Sequence, residues 1–406
     1  MTTNTKFSSV DIEENVLILQ GGGSLGAFGC GVFKALAENN IKIDIISGTS
    51  IGGINASIIT GHKNMDKPEN LLEQFWLELS DGFQDFGMSG YFNPFFNLNI
   101  FMEKIPGLYG STSFVNENKS KQLEFAQYQS LNSFYNASVF GNEKMFKPRW
   151  SLEYAFKDPK YYNPYEWTYL YDNSPLVKTL DKYIDYNKLN PNGNRNSRLI
   201  MTAVNILTSE PLVFDSNKQQ ILPKHILATS GYPLYNLPWS EVESGVFAWD
   251  GGLLSNTPLK EAIDASPVKN KRVFIVENYP KKVDHLPHDL PEVHHRARDI
   301  IFSDKTQYNI SMAKVITMYL RYIDEMYQFI DQNIDPNNVD KKKFERIKRK
   351  YKKYKKERGA EIKKIHYITR DEHHHSIYEN ADFSPITIKE SIKQGELKTN
   401  QILEKI

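Results

Sequence analysis

The chain of 406 residues has one cysteine, Cys30, and no run approaching the roughly eighteen apolar residues that a spanning helix needs. The first scarcity excludes an intramolecular disulfide framework and fits a reducing compartment. The second makes peripheral contact the expected form of any membrane association. A secretory start is lacking as well, because residues 1–15 are polar and lean acidic, without a basic start and an apolar core. The expectation is therefore a soluble, cytoplasmic protein. An excess of one charge is also missing. Fifty Lys and Arg face 49 Asp and Glu, so whole-molecule steering toward nucleic acid is not indicated. No internal repeat is visible.

What the chain does have is a regular succession of short apolar runs ending in glycines. Val16-Leu17-Ile18-Leu19 predicts a buried strand entering a tight turn. A helix is expected over Gly26 to Glu38, a second buried strand over Ile41 to Ile46, and a further helix from Ile51 to about Thr60. Strand, helix, strand, turn and helix in so short a span argue for a parallel βαβ unit. Leu199 to Val204, Leu212 to Phe214 and Val273 to Val276 repeat the strand signal. The economical fold class is α/β, a layered sandwich around a mainly parallel central sheet.

Aromatic residues make up 13 % of the chain and crowd into an insertion at about 79–171, with Phe83, Phe86, Tyr91, Phe92, Phe95, Phe96 and Phe101 close together. Two readings stand side by side, the core of an inserted helical region and a lid or acyl-chain pocket. Beyond a catalytic domain over 1–280, residues 281–406 read as a mainly helical extension. In it, Met312, Ile316, Tyr319, Ile323, Met326 and Ile330 have the spacing of an amphipathic helix. The stretch 341–358 comes next, with twelve basic and two acidic residues, net +10. It reads as a solvated charged helix or as a helix that docks on a membrane surface or partner. No nucleic-acid module accompanies it.

Two segments match the pattern G-x-S-x-G, in which a serine sits on a sharp strand-to-helix turn. One is Gly22-Gly23-Ser24-Leu25-Gly26, the other Gly48-Thr49-Ser50-Ile51-Gly52. The first lies in the run Gly21-Gly22-Gly23, where successive amides at a helix start make a concave donor site for an anion. That suits an oxyanion better than a nucleophile, and leaves Ser50 as the attacking serine. Gly21, Gly23 and Gly26 also fit dinucleotide-loop spacing, but Ile41-Lys42-Ile43-Asp44 leads into a second glycine elbow instead of presenting a ribose-binding acid. Further on, Trp249-Asp250-Gly251-Gly252 sets a carboxylate before two glycines, a context that permits a sharp turn.

These three motifs, in this order, resemble the patatin-like phospholipase family, from about Val16 to Leu259 and including Ala228-Thr229-Ser230-Gly231-Tyr232-Pro233. The remainder, with Arg296 to Thr306 and Asp382 to Gly395, resembles a bacterial subgroup with its own C-terminal extension. The resemblance implies a patatin-like three-layer sandwich and a serine hydrolase of lipid acyl esters. Ser50 would be the nucleophile, Asp250 the general base of a dyad without histidine, and Gly21, Gly22, Gly23 and Gly26 the oxyanion loop, with Gly48 and Gly52 shaping the elbow. The expected partner is a lipid ester substrate. No cofactor, metal or nucleic acid is expected, and the oligomeric state is left open. The chain departs from the family at Leu25, where many members carry Arg or Lys, which weakens the expected charge stabilisation by this loop. A rival triad would use His225, at a predicted helix start. His294-His295 and His373-His374-His375 suggest metal ligands only superficially, since adjacent side chains point different ways. The alternative to an enzyme is a protein with a vestigial dyad that binds a membrane or partner through 341–358.

Overall fold

The computed structural model of the protein describes residues 14–63, 67–81, 133, 136–283, 285–288, 290–335, 338–358, 360–372 and 379–405. Strand β1 (Glu14–Leu19) contains the first apolar run. Leu17 and Leu19 face one core, Val16 and Ile18 the other. A strand covered on both faces has no polar side to show, which is why the run reads as uninterrupted apolar sequence. Next come α1 (Gly26–Glu38), β2 (Ile45–Gly48), α2 (Ile51–Gly61) and α3 (Pro68–Asp81). The expected second strand starts late because Ile41–Asp44 is a loop, pinned where the Asn15 amide donates to Asp44 Oδ2 at 2.9 Å.

The aromatic cluster from Phe83 to Phe101 lies outside the described residues. Further along, β3 (Lys147–Pro148) and β4 (Tyr171–Asp172) form a small ribbon around α4 (Leu152–Lys157), and α5 (Pro175–Tyr183) comes after it. The chain re-enters the sheet with β5 (Arg198–Asn205) and β6 (Pro211–Asp215). It continues through α6 (Pro223–Ser230), β7 (Ser240–Glu243), β8 (Val246–Asp250), α7 (Leu259–Ala265) and β9 (Lys271–Glu277). Last come α8 (Leu290–Asn333), α9 (Lys341–Arg358), β10 (Ile362–Thr369) and α10 (Pro385–Leu403).

The main sheet has the order β10-β9-β1-β2-β5-β8-β7, with β6 also paired to β5. The first five strands run parallel, and β6, β7 and β8 are antiparallel to their neighbours. Helices cover both faces, as the α/β reading expects. Residues beyond 280 share this sheet. Strand β10 extends its edge beside β9, and α10 lies against α1. The crossing of those helices is close. A Cβ on Gly31 would meet the Ile392 carbonyl oxygen at 1.8 Å, and one on Gly395 would meet the Phe28 oxygen at 2.2 Å.

Helices α8 and α9 form a pair held by stacked Tyr327 and Tyr351 rings and by Lys355–Asp324 at 3.1 Å. No described helix is long and apolar enough to cross a membrane. Gly31→Ala is expected to cost about 2 kcal/mol or more of stability, because backbone would have to move at that crossing. Urea denaturation of the variant beside the wild type measures this, and an unchanged midpoint would contradict the packing described.

Candidate active site

Parallel pairing of β1 with β2 brings Leu19 opposite Gly48, so the turns after these residues lie side by side. The first turn is Gly21-Gly22-Gly23, leading into α1; the second is Thr49-Ser50, leading into α2. They touch: a Cβ on Gly21 would lie 2.8 Å from Ser50 Cβ. In the first turn Gly22 has φ 146° and Gly23 φ 60°, conformations that L side chains rarely adopt. In the second, Ser50 itself has φ 57° and ψ −130°. A non-glycine residue in that region costs on the order of 1–3 kcal/mol, offset by the packing around it. Gly48 and Gly52 make the elbow possible by contact. A Cβ on Gly48 would meet the Gly52 oxygen at 2.2 Å, and one on Gly52 the Leu19 oxygen at 2.2 Å.

Asp250 ends β8, which pairs with the end of β5 so that Ala203 faces Asp250. Thr202, one residue before, shares a 2.7 Å hydrogen bond with Thr49, which ties this strand to the elbow. The Ser50 amide donates to Thr229 Oγ1 on α6 at 3.2 Å. Asp250 is 1 % exposed, and the Gly252 amide donates to its Oδ1 at 2.7 Å. Burial pushes its carboxyl up to about 7, against the opposing pulls of the Ser50 hydroxyl and the Gly252 amide. Asp250 Oδ2 has no partner of ordinary hydrogen-bond geometry among the described residues. The Ser50 hydroxyl acts on this carboxyl without a bond of ordinary geometry to Oδ2, a looseness common in substrate-free sites. Ser50 is only half-buried, so its hydroxyl remains approachable.

The glycine loop is held by asparagines that sequence reasoning did not single out. Asn256 Oδ1 accepts from the Gly21 amide at 3.0 Å. Asn278 Nδ2 donates to the Gly21 carbonyl at 3.1 Å, and Asn380 Nδ2 to the Gly22 carbonyl at 3.0 Å. Asn278 directly follows β9, a position the strand signal could have flagged. Asn380 carries no local mark. The Gly22 and Gly23 amides have no acceptor among the described residues. Ser24 does not face Asp250; its hydroxyl donates to the Glu379 carbonyl. Gly26 starts α1 against Ile51 and Trp76. Leu25, 5 % exposed, packs with Tyr279 and Phe302 where a charged side chain would be costly.

The structure does not bring His225 into this group. It opens α6, where its Nδ1 accepts from the Leu222 amide at 3.0 Å, and its ring lies on Phe214. Burial pulls it down to about 4, so it is neutral at physiological pH. His294 and His295 diverge, the first exposed and the second buried. His373-His374-His375 lie outside the described residues.

Residues 17–263 match the family model of the patatin-like phospholipases. The chain belongs to that family. No curated protein matches it. Among solved structures it is similar to VipD from Legionella pneumophila, at 13 % identity and a TM-score of 0.39, over 98 % of this chain and 67 % of that one. It is also similar to ExoU of Pseudomonas aeruginosa, crystallised with SpcU, at 16 % identity and a TM-score of 0.25, over 71 % of this chain and 48 % of that one. As a patatin-like phospholipase the chain is, at family level, a lipid hydrolase.

The raised Asp250 carboxyl has a consequence for stability. Its folded value near 7 exceeds the 3.8 of an ordinary aspartate, so the native state holds the proton more tightly. The stabilising contribution is complete below the ordinary value and is lost as pH rises through about 7. Asp250→Asn is therefore expected to melt above the wild type at about pH 8, with the gap closing toward acid pH. Thermal melts across that range check it; a variant that melts lower at alkaline pH would oppose this account of the burial.

Proposed function

We propose that the chain is a serine acyl hydrolase, phospholipase A- or lysophospholipase-like, that cleaves carboxylic esters of lipids through a Ser50–Asp250 dyad. The observation that carries the reading is the strained Ser50 turn, with its hydroxyl beside a buried carboxyl and next to a loop whose amides have no acceptor among the described residues. Ser50 Oγ attacks the ester carbonyl carbon as its proton passes to Asp250. The carbonyl electron pair moves onto oxygen, where the Gly22 and Gly23 amides receive it. Collapse of this adduct breaks the bond to the alcohol, which leaves with the proton from Asp250. Water then repeats the sequence on acyl-Ser50, releasing the fatty acid and restoring the serine. An aspartate is an ordinary weak base in water. Held near 7 by burial, it is matched to accept a proton at physiological pH. Each oxyanion donor in such a site contributes roughly 100- to 1000-fold in rate.

A fluorophosphonate probe is expected to label the wild type and not Ser50→Ala, and ester and phospholipid hydrolysis over a chain-length series should vanish with that substitution. Because the base form of Asp250 is needed, kcat/KM should rise with pH through about 7 and then level. Labelling of another residue, or turnover that survives Ser50→Ala, overturns the reading.

A second feature favours work at a lipid interface. Helix α9 bears net +10, and its neighbour α8 exposes Met318, Tyr319, Tyr322, Met326 and Phe329. A basic helix beside exposed aromatics suits anionic membrane surfaces. Sedimentation with anionic vesicles is expected for both the wild type and Ser50→Ala, and should weaken when Lys342, Lys350 and Lys353 are changed to Gln. If binding outlives those changes, α9 is not the docking element. Binding without any labelling of Ser50 would favour the reading of a vestigial dyad.

A further inference from the structure

We propose that Asn380, held by Arg298, is a positioning residue for the oxyanion loop, so that the segment after β10 is part of the catalytic machinery. The inference rests on the acyl-hydrolase reading of Ser50. In a trans peptide the carbonyl of one residue and the N–H of the next point in opposite directions. Whatever grips the Gly22 carbonyl therefore aims the Gly23 amide. Asn380 Nδ2 grips it at 3.0 Å, and the same nitrogen donates to the Tyr279 hydroxyl at 3.0 Å. Asn278 treats the preceding peptide alike, gripping the Gly21 carbonyl and so aiming the Gly22 amide. Within the turn the Leu25 amide also donates to the Gly22 carbonyl, at a longer 3.3 Å, and the Asn380 grip adds to it at two glycines whose positive φ leaves them little else to fix them. Their amides can serve an oxyanion only if both are fixed before it forms.

Asn380 is in turn fixed by Arg298. The guanidinium donates to Asn380 Oδ1, which orients the amide so that Nδ2 faces the loop. Arg298 also lies over the Tyr279 ring at 5.3 Å and pairs with Asp299 at 2.8 Å and Glu379 at 3.5 Å. Backbone contact reinforces the clamp: a Cβ on Gly23 would lie 2.2 Å from the Asn380 oxygen, and Ser24 donates to the Glu379 carbonyl.

The charged groups beyond Arg298 gather around Glu379. His295 Nε2 lies 2.6 Å from Glu372 Oε1 and 3.1 Å from Glu379 Oε2. Of these two contacts, the one to Glu379 has hydrogen-bond geometry. Arg370 pairs with Glu379 from the other side.

The test compares Asn380→Asp, Asn380→Ala and Arg298→Met in the full chain. Aspartate keeps an acceptor for Arg298 but has no N–H for the Gly22 carbonyl, so it separates aiming from mere docking. Melting temperature, fluorophosphonate labelling rate at Ser50, and kcat and KM on a p-nitrophenyl ester are read for each. The expected result for Asn380→Asp is a labelling rate and kcat lower by about 100-fold, with KM and melting temperature near those of the wild type. Asn380→Ala should match it, and Arg298→Met should fall between. Wild-type labelling together with an unchanged kcat in Asn380→Asp overturns the positioning role and leaves the hydrolase standing. So does a kcat loss that only tracks melting temperature across the three variants. A wild type that is not labelled at Ser50 removes the hydrolase reading, and this inference with it.

Discussion

The register between β1 and β2 is the constraint on which the rest of the site depends. Because Leu19 lies opposite Gly48 in a parallel pair, both strands end at the same level and both turns leave on the same side. A slip of one residue would turn every β1 side chain to the opposite core and carry the glycine loop past the serine turn. Two buried faces guard against that slip. Leu17 and Leu19 fill one core and Val16 and Ile18 the other, each among fully buried partners. The precision of a contact such as Gly21 against Ser50 Cβ is thus inherited from side chains that take no part in chemistry.

On that frame the polar groups follow one logic. A carboxyl is driven into an apolar setting, and the donors around it number fewer than a carboxylate can use. Natural proteins rarely leave a buried acid so poorly served, and where they do the strain usually has a functional reason. The opposite treatment is given to the glycine loop, whose carbonyls are held by Asn278 and Asn380 while two amides have no acceptor among the described residues. Acceptors are saturated on one side of the loop and donors left available on the other, a polarity that no single residue could supply.

Much of this was readable in the sequence, for reasons that are local. The limits of α1 and α9 fall where the small-residue and charge patterns put them, at Gly26–Glu38 and Lys341–Arg358. The turns at Gly21, Ser50 and Asp250 were marked by the glycines their geometry requires. Strand β10 was not, because Ile362–Thr369 mixes lysines and a histidine into an edge strand whose outer side is half-exposed. Nor was the role of Asn380 or Asn278. Their partners lie 358 and 257 residues away, and although Asn278 follows a strand signal, no local pattern points either side chain to the glycine loop. Helix α10 falls within the stretch 281–406 read as mainly helical, but its close crossing with α1, which Gly395 permits, has no local signature.

The place of β10 and Asn380 in the chain also bears on when the molecule matures during its own synthesis. Strands β1, β2, β5, β8 and β9 leave the ribosome long before residue 362, and folding of such a sheet can begin on them. The edge strand, the helix against α1 and the clamp on the glycine loop come last, joined to the first turn by a contact spanning 358 residues. Closing so distant a contact is slow relative to local folding. A nascent chain thus passes through a stage with its serine turn built and its glycine loop unclamped.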